Sequence, residues 1–179
     1  MRGMKSDNKS QREYYQRKAI SYGIEDAAEK PPSEMLPAFI RNWAKKPMGC
    51  QIPWDSHIEQ WAFGRKNVAT VSYEELRNDC QSAMTRLLEQ HTSKAVDQDR
   101  LKNIVANHSF EALSGRKAGT EDPDAFIRKG IVGDWKNHFG TEAAQVFDHH
   151  FGETLVKLGY ETDRGWPTRL ARVPVAQST

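Results

Sequence analysis

The sequence predicts an α/β chain, mostly helical, with about one core strand. Three observations predict it. Apolar residues recur at helical spacing in most segments, one short stretch alone is rich in β-branched residues, and 179 residues suit one domain with one core. One compact unit with ragged ends is expected, its tail frayed from Pro167.

Residues 1 to about 12 are polar without periodicity and read as a solvated arm. The "EKPPSE" stretch at 29–34 breaks the chain, and Ser33 is placed to cap a helix with Leu36, Ile40 and Trp43 on one face. A second helix is expected from about Asp55 or Ser56, because Trp54, Ile58 and Trp61 fall at i, i+4 and i+7. The strand is assigned to "NVATVSY", 67–73, which is short, β-branched and preceded by the turn-like "GRKN". One helix then carries Leu76, Cys80, Met84, Leu87 and Leu88, and a further one, capped by Asp97, carries Leu101, Ile104 and Val105. "SGRKAGTEDPD", 114–124, mixes glycine, charge and proline without periodicity and reads as a mobile surface loop. Phe147, Phe151, Leu155 and Leu158 mark a last helix, with Gly159 placed to end it.

Composition narrows the function. Lys and Arg total 26 against 24 Asp and Glu, a net charge of +2, which disfavours a nucleic-acid binder with a basic stripe; any anion site must be local. The two cysteines, Cys50 and Cys80, lack metal or redox spacing and read as incidental reduced thiols. "MRGMKSDNKSQREYYQRK" has no apolar core of the secretory kind, and the longest apolar run, "MLPAFI", is broken by Pro37. A cytoplasmic protein without membrane contact is expected. His149 and His150 are neighbours on a helix, a spacing that does not converge on one ion, so no metal is expected.

The segment "FIRKGIVGDWKNHF", 126–139, carries the chemistry. Arg128 offers a planar fork of donors, Lys129 a compact charge, and Gly130 a backbone N–H with no side chain in the way, so the three suit a phosphate monoester. A solvated basic turn is the competing reading of a bare Arg-Lys-Gly triplet. "SGRKAGT" at 114–120 faintly suggests a phosphate loop, but it follows no strand and lacks the Gly-Lys-Ser/Thr ending.

"RKGIVGDWKNHF", with "VSYEELRND" at 71–79, "NHSFEAL" at 107–113 and "DSHIEQW" at 55–61, resembles the C-terminal half of the sulfotransferases that use 3'-phosphoadenosine 5'-phosphosulfate, over roughly Ser33 to Trp166. The resemblance implies the P-loop-type three-layer α/β fold of that family, of which this chain holds a mostly helical part. It implies that Arg128, Lys129 and Gly130 hold the 3'-phosphate, with Phe126 and Ile127 lining its approach. Tyr73 matches a tyrosine at the adenine, Phe110 an aromatic packed on the base, and Ser109 a polar contact beside it. His108 stands where the family has Thr or Ser. Against these roles stand structural ones: Tyr73 ends a strand, Phe110 belongs to the core, and Trp135 packs. The 114–124 loop corresponds to the family's variable cover over the nucleotide.

The family's Lys-Ser-Gly-Thr type loop, catalytic histidine and Arg/Ser segment have no counterpart in this sequence. "SQREYYQRKAISYG" resembles the helix that continues from them. None of His57, His91, His108, His138, His149 or His150 falls at the base position, so no catalytic residue is assigned and the isolated chain is expected to turn over poorly or not at all. The expected function is sulfuryl transfer to a hydroxyl or amine acceptor. The alternative is a non-catalytic remnant that binds adenosine 3',5'-bisphosphate or a partner chain completing the sheet. The family's dimerisation stretch reads "KNHFGTEAAQ" here, without its Thr-Val pair or final Glu.

Overall fold

The computed structural model describes residues 9–25, 27, 29–47, 51–63, 65–122 and 125–170. Cys50 and residues 171–179 lie outside them. The chain divides into two compact units, Met1–Gln60 with Asp134–Thr179, and Trp61–Gly133.

In the first unit, α1 (Lys9–Ser21) begins inside the stretch expected to be a solvated arm, so residues 9–12 are helical. Helix α2 (Pro32–Lys45) also starts earlier than its sequence suggested. Pro31 is the N-cap and Pro32 the first helical residue, where a missing N–H leaves no bond unmade, so Ser33 lies within the helix rather than capping it. The tryptophan-rich α3 is Trp54–Trp61, and α8 (Thr141–Lys157) follows a 3₁₀ turn at Asp134–Asn137.

Helix α2 packs along α8. Ile40 and Ala44 meet Ala143 and Phe151 in one apolar cluster, and Met35 joins Tyr22, Ile24 and Ala27 in another. Phe151 is the hub: Trp43 and Trp54 approach its ring edge-on at 5.4 and 5.5 Å, contacts that add about 0.5–1.5 kcal/mol each beyond area burial. Gly159, with φ +77°, follows the end of α8 as expected. The tail is not frayed from Pro167. Trp166–Leu170 forms α9, with Trp166 only 4% exposed and its indole N–H donating to Asp148 Oδ1 at 2.9 Å.

The second unit holds α4 (Tyr73–Asn78), α5 (Cys80–Thr92), α6 (Gln98–Asn107) and α7 (Phe110–Ser114). The strand expected over 67–73 is absent, and no strand occurs among the described residues. A strand is stable only with a ladder partner. Here Ser72 takes part in a capping box instead: its Oγ accepts from the Glu75 N–H at 3.1 Å while its own N–H donates to Glu75 Oε2 at 2.8 Å, which makes Tyr73 the first residue of a helix. The single helix expected through Leu76 and Leu88 breaks at Asp79, whose backbone leaves helical geometry and whose carboxylate caps α5 through the Ser82 N–H. Asp97 caps α6 as expected. Among the described residues no helix is long and apolar enough to cross a membrane.

Candidate anion site at Arg128 to Gly130

All the residues that sequence reasoning assigned to a nucleotide lie in the second unit. The chain first builds a platform. Ser109 leaves α6 in an extended conformation and caps α7, accepting from the Ala112 N–H at 3.1 Å, and this turns Phe110 inward to 5% exposure. Gly130 lies on that ring. Its φ is +64°, and a Cβ there would stand 2.1 Å from Phe110 Cδ2 and 2.6 Å from Cε2. Glycine at 130 is therefore required by the close approach to Phe110 as well as by its left-handed backbone, and not only for access of a ligand to its N–H.

The preceding two residues present the charges. Arg128 donates to Glu121 Oε1, and Lys129 Nζ lies 3.5 Å from Glu121 Oε2, so one carboxylate engages both cations, one oxygen each. The Lys129 side chain is 20% exposed and that of Arg128 38%, so the pair sits in a partly desolvated surface where charge-assisted contacts are stronger than in bulk water. Ile127 is half-buried, while Phe126 stands 96% exposed.

The structure brings Phe110 and Gly130 into contact and joins Arg128 to Lys129 through Glu121. Tyr73 is 50% exposed on α4, one turn before Arg77, whose guanidinium carbon is 6.0 Å from the centre of the Phe110 ring. Phe110 has the burial of a core residue. His108 ends α6 with its Nδ1 2.8 Å from the Ile104 carbonyl oxygen, a local contact that directs the ring back onto its own helix. Trp135, in the first unit, packs edge-on against Phe139 and Trp166.

Sequence reasoning missed Arg116 and Glu121. The described part of the loop read as mobile, 114–122, is tied down: the Gly119 N–H donates to the Lys129 carbonyl at 2.9 Å, the Asp122 N–H to the Arg128 carbonyl at 3.0 Å, and Arg116 donates to three carbonyls of the same region. Glu111 receives the Ala118 N–H, and backbone N–H donors, its own first and then that of Ala118, hold its carboxyl below the usual range. A count of charges and glycines along 114–124 could not show which side chains turn inward.

A family model described as "Sulfotransferase domain" matches residues 10–159. The "Sulfotransferase 2A1" proteins of Macaca fascicularis and Homo sapiens are each 33% identical to this chain over 119 residues, 60% of this chain and 41% of theirs. The "3-beta-hydroxysteroid sulfotransferase" of Cavia porcellus is 27% identical over 154 residues, 80% of this chain and 50% of its own length. The chain thus spans half or less of the length of these relatives. No solved structure matches it.

Proposed function

This chain belongs to the sulfotransferase domain family, and from that premise we propose that Arg128, Lys129 and Gly130 hold the 3'-phosphate of 3'-phosphoadenosine 5'-phosphosulfate in a sulfuryl transfer to a hydroxyl or amine acceptor. The observation that carries the reading is the carboxylate of Glu121 spread across both cations, Oε1 on Arg128 and Oε2 on Lys129. Its two oxygens stand in for two oxygens of a phosphate monoester, and the pair fits such a group because Arg brings a flat fork and Lys a point charge.

When bound, the nucleotide supplies the sulfuryl group and leaves as adenosine 3',5'-bisphosphate. The residues of this chain bind and orient it. Arg128 and Lys129 replace Glu121 by phosphate, exchanging one anion for another of higher charge. Tyr73, half exposed, offers aromatic surface to the adenine, since any base presents a π-face, and the exposed Phe126 lines the approach of the 3'-phosphate with Ile127. Phe110 supports the site from behind by fixing the position of Gly130. The Ser109 hydroxyl, which accepts from Ala112, keeps its own hydrogen to donate, and His108 precedes it in the chain.

Calorimetric titration with adenosine 3',5'-bisphosphate tests this. Submillimolar binding that Arg128→Ala abolishes supports the reading, and an absence of binding removes it. Turnover of labelled donor with a panel of phenols and alcohols then separates an enzyme from a protein that only binds the nucleotide.

A further inference from the structure

We infer that Arg116 is a positioning residue for the phosphate clamp: it braces the backbone at Ile127 and Arg128 and so fixes the direction in which the Arg128 and Lys129 side chains project. The inference rests on the proposed role of residues 128–130. In the sequence Arg116 belongs to "SGRKAGT", which faintly suggests a loop that binds phosphate itself. The structure gives its guanidinium a different use. One terminal nitrogen, Nη1, donates to the Thr120 carbonyl at 2.7 Å and the Arg128 carbonyl at 2.9 Å, and the other, Nη2, donates to the Ile127 carbonyl. A guanidinium directed at carbonyls from two separate stretches of backbone is a brace, because it ties Thr120 to Ile127 and Arg128 through their main-chain oxygens.

Several features converge on the same geometry. Gly115, with φ +67°, turns the chain out of α7, and the Arg116 N–H donates to Ser114 Oγ at 3.1 Å, which together aim the side chain back across the loop. The guanidinium carbon lies 5.6 Å from the centre of the Phe110 ring, the same ring on which Gly130 rests. The Arg128 carbonyl accepts from both Arg116 and the Asp122 N–H, so the residue that presents the phosphate ligand is held on its main chain from two sides. Lysine cannot replace this fork, since its donors radiate from one nitrogen and do not span two carbonyl rows in a plane.

The test compares wild type, Arg116→Ala, Arg116→Lys and Lys117→Ala, the last removing one charge from an exposed position in the same loop. Each is titrated with adenosine 3',5'-bisphosphate and with adenosine 5'-monophosphate, and amide hydrogen exchange is followed at Gly119 and Asp122 in the free protein. A brace predicts that both Arg116 variants lose about tenfold or more in affinity for the bisphosphate. The monophosphate changes by less than about threefold, and exchange at Gly119 and Asp122 accelerates, while Lys117→Ala behaves as wild type. Equal weakening of both nucleotides, or an Arg116→Lys protein with wild-type preference, would overturn the inference. If Arg116→Ala does not fold, Arg116→Lys decides. A wild type that fails to prefer the bisphosphate refutes the clamp itself; the exchange measurement still judges the brace, which stands if protection is lost and falls if it is unchanged.

Discussion

Replacing Gly130 by Ala puts the platform of the site under direct load. Two effects add. The backbone at φ +64° holds an L-residue in the left-handed region at about 1–2 kcal/mol. The new Cβ would also lie within 3.0 Å of three Phe110 ring atoms, at 2.1, 2.6 and 2.8 Å, and the ring is 5% exposed and flanked by the Arg77 and Arg116 guanidiniums. Overpacking of this kind costs about 1–3 kcal/mol. The narrowing of the unfolded ensemble returns about 0.4–1 kcal/mol, so Gly130→Ala should destabilise by roughly 1–5 kcal/mol. A double-mutant cycle isolates the contact. Phe110→Ala alone removes a buried ring at about 3–5 kcal/mol, and in that background Gly130→Ala should retain only its backbone penalty, leaving a coupling of about 1–3 kcal/mol. Urea unfolding followed by far-UV circular dichroism measures all four proteins. A Gly130→Ala cost under about 0.5 kcal/mol, or the same cost with and without the Phe110 ring, would refute the reasoning.

Three further predictions concern other parts of the molecule. Gly152→Ala should destabilise by about 1–3 kcal/mol despite alanine's better helix propensity, as judged by thermal melts, because its Cβ would come 2.2 Å from both Arg164 Nε and Asp148 Oδ1 in their ion pair. Glu121→Gln should raise affinity for adenosine 3',5'-bisphosphate by about two- to fivefold in calorimetry, since the phosphate no longer competes with a charged carboxylate at a partly exposed pair. Burial, then repulsion from His149, Lys45 and Arg41, with Asp55 opposing, holds the His150 imidazole below its ordinary 6.5. The unfolded chain therefore takes up the proton first: the stabilisation is complete above 6.5 and is lost as pH falls through the lower folded value. The melting temperature should drop over that window, and His150→Gln should flatten the drop; a wild-type melting temperature that rises on acidification contradicts this.

Helices with local signals were legible in the sequence. Asp97 capping α6, the stripe through Phe147 and Phe151, and Gly159 after α8 each depend on residues within a few positions of one another. The strand at 67–73 was misread because β-branched composition reports a preference that needs a partner strand, while Ser72 and Glu75 supply a capping box that needs none. The start of α2 was misplaced for a related reason: a proline at the first helical position sets φ without any capping hydroxyl. At the candidate site, the proposal for Arg128, Lys129 and Gly130 was legible because the chemistry it invokes is carried by residue type. The reason for Gly130 was not, since it depends on Phe110, twenty positions away, and Arg116 looked like one more loop charge until its three carbonyl partners were known.

Phosphorus-31 NMR of adenosine 3',5'-bisphosphate titrated with the full chain tests the clamp most directly, because it reports the two phosphates separately. The account predicts that the 3'-phosphorus resonance shifts on binding and that Arg128→Ala weakens this response by about tenfold or more in concentration. A 3' resonance that stays in place while the 5' resonance moves, or a shift that Arg128→Ala leaves intact, would contradict it.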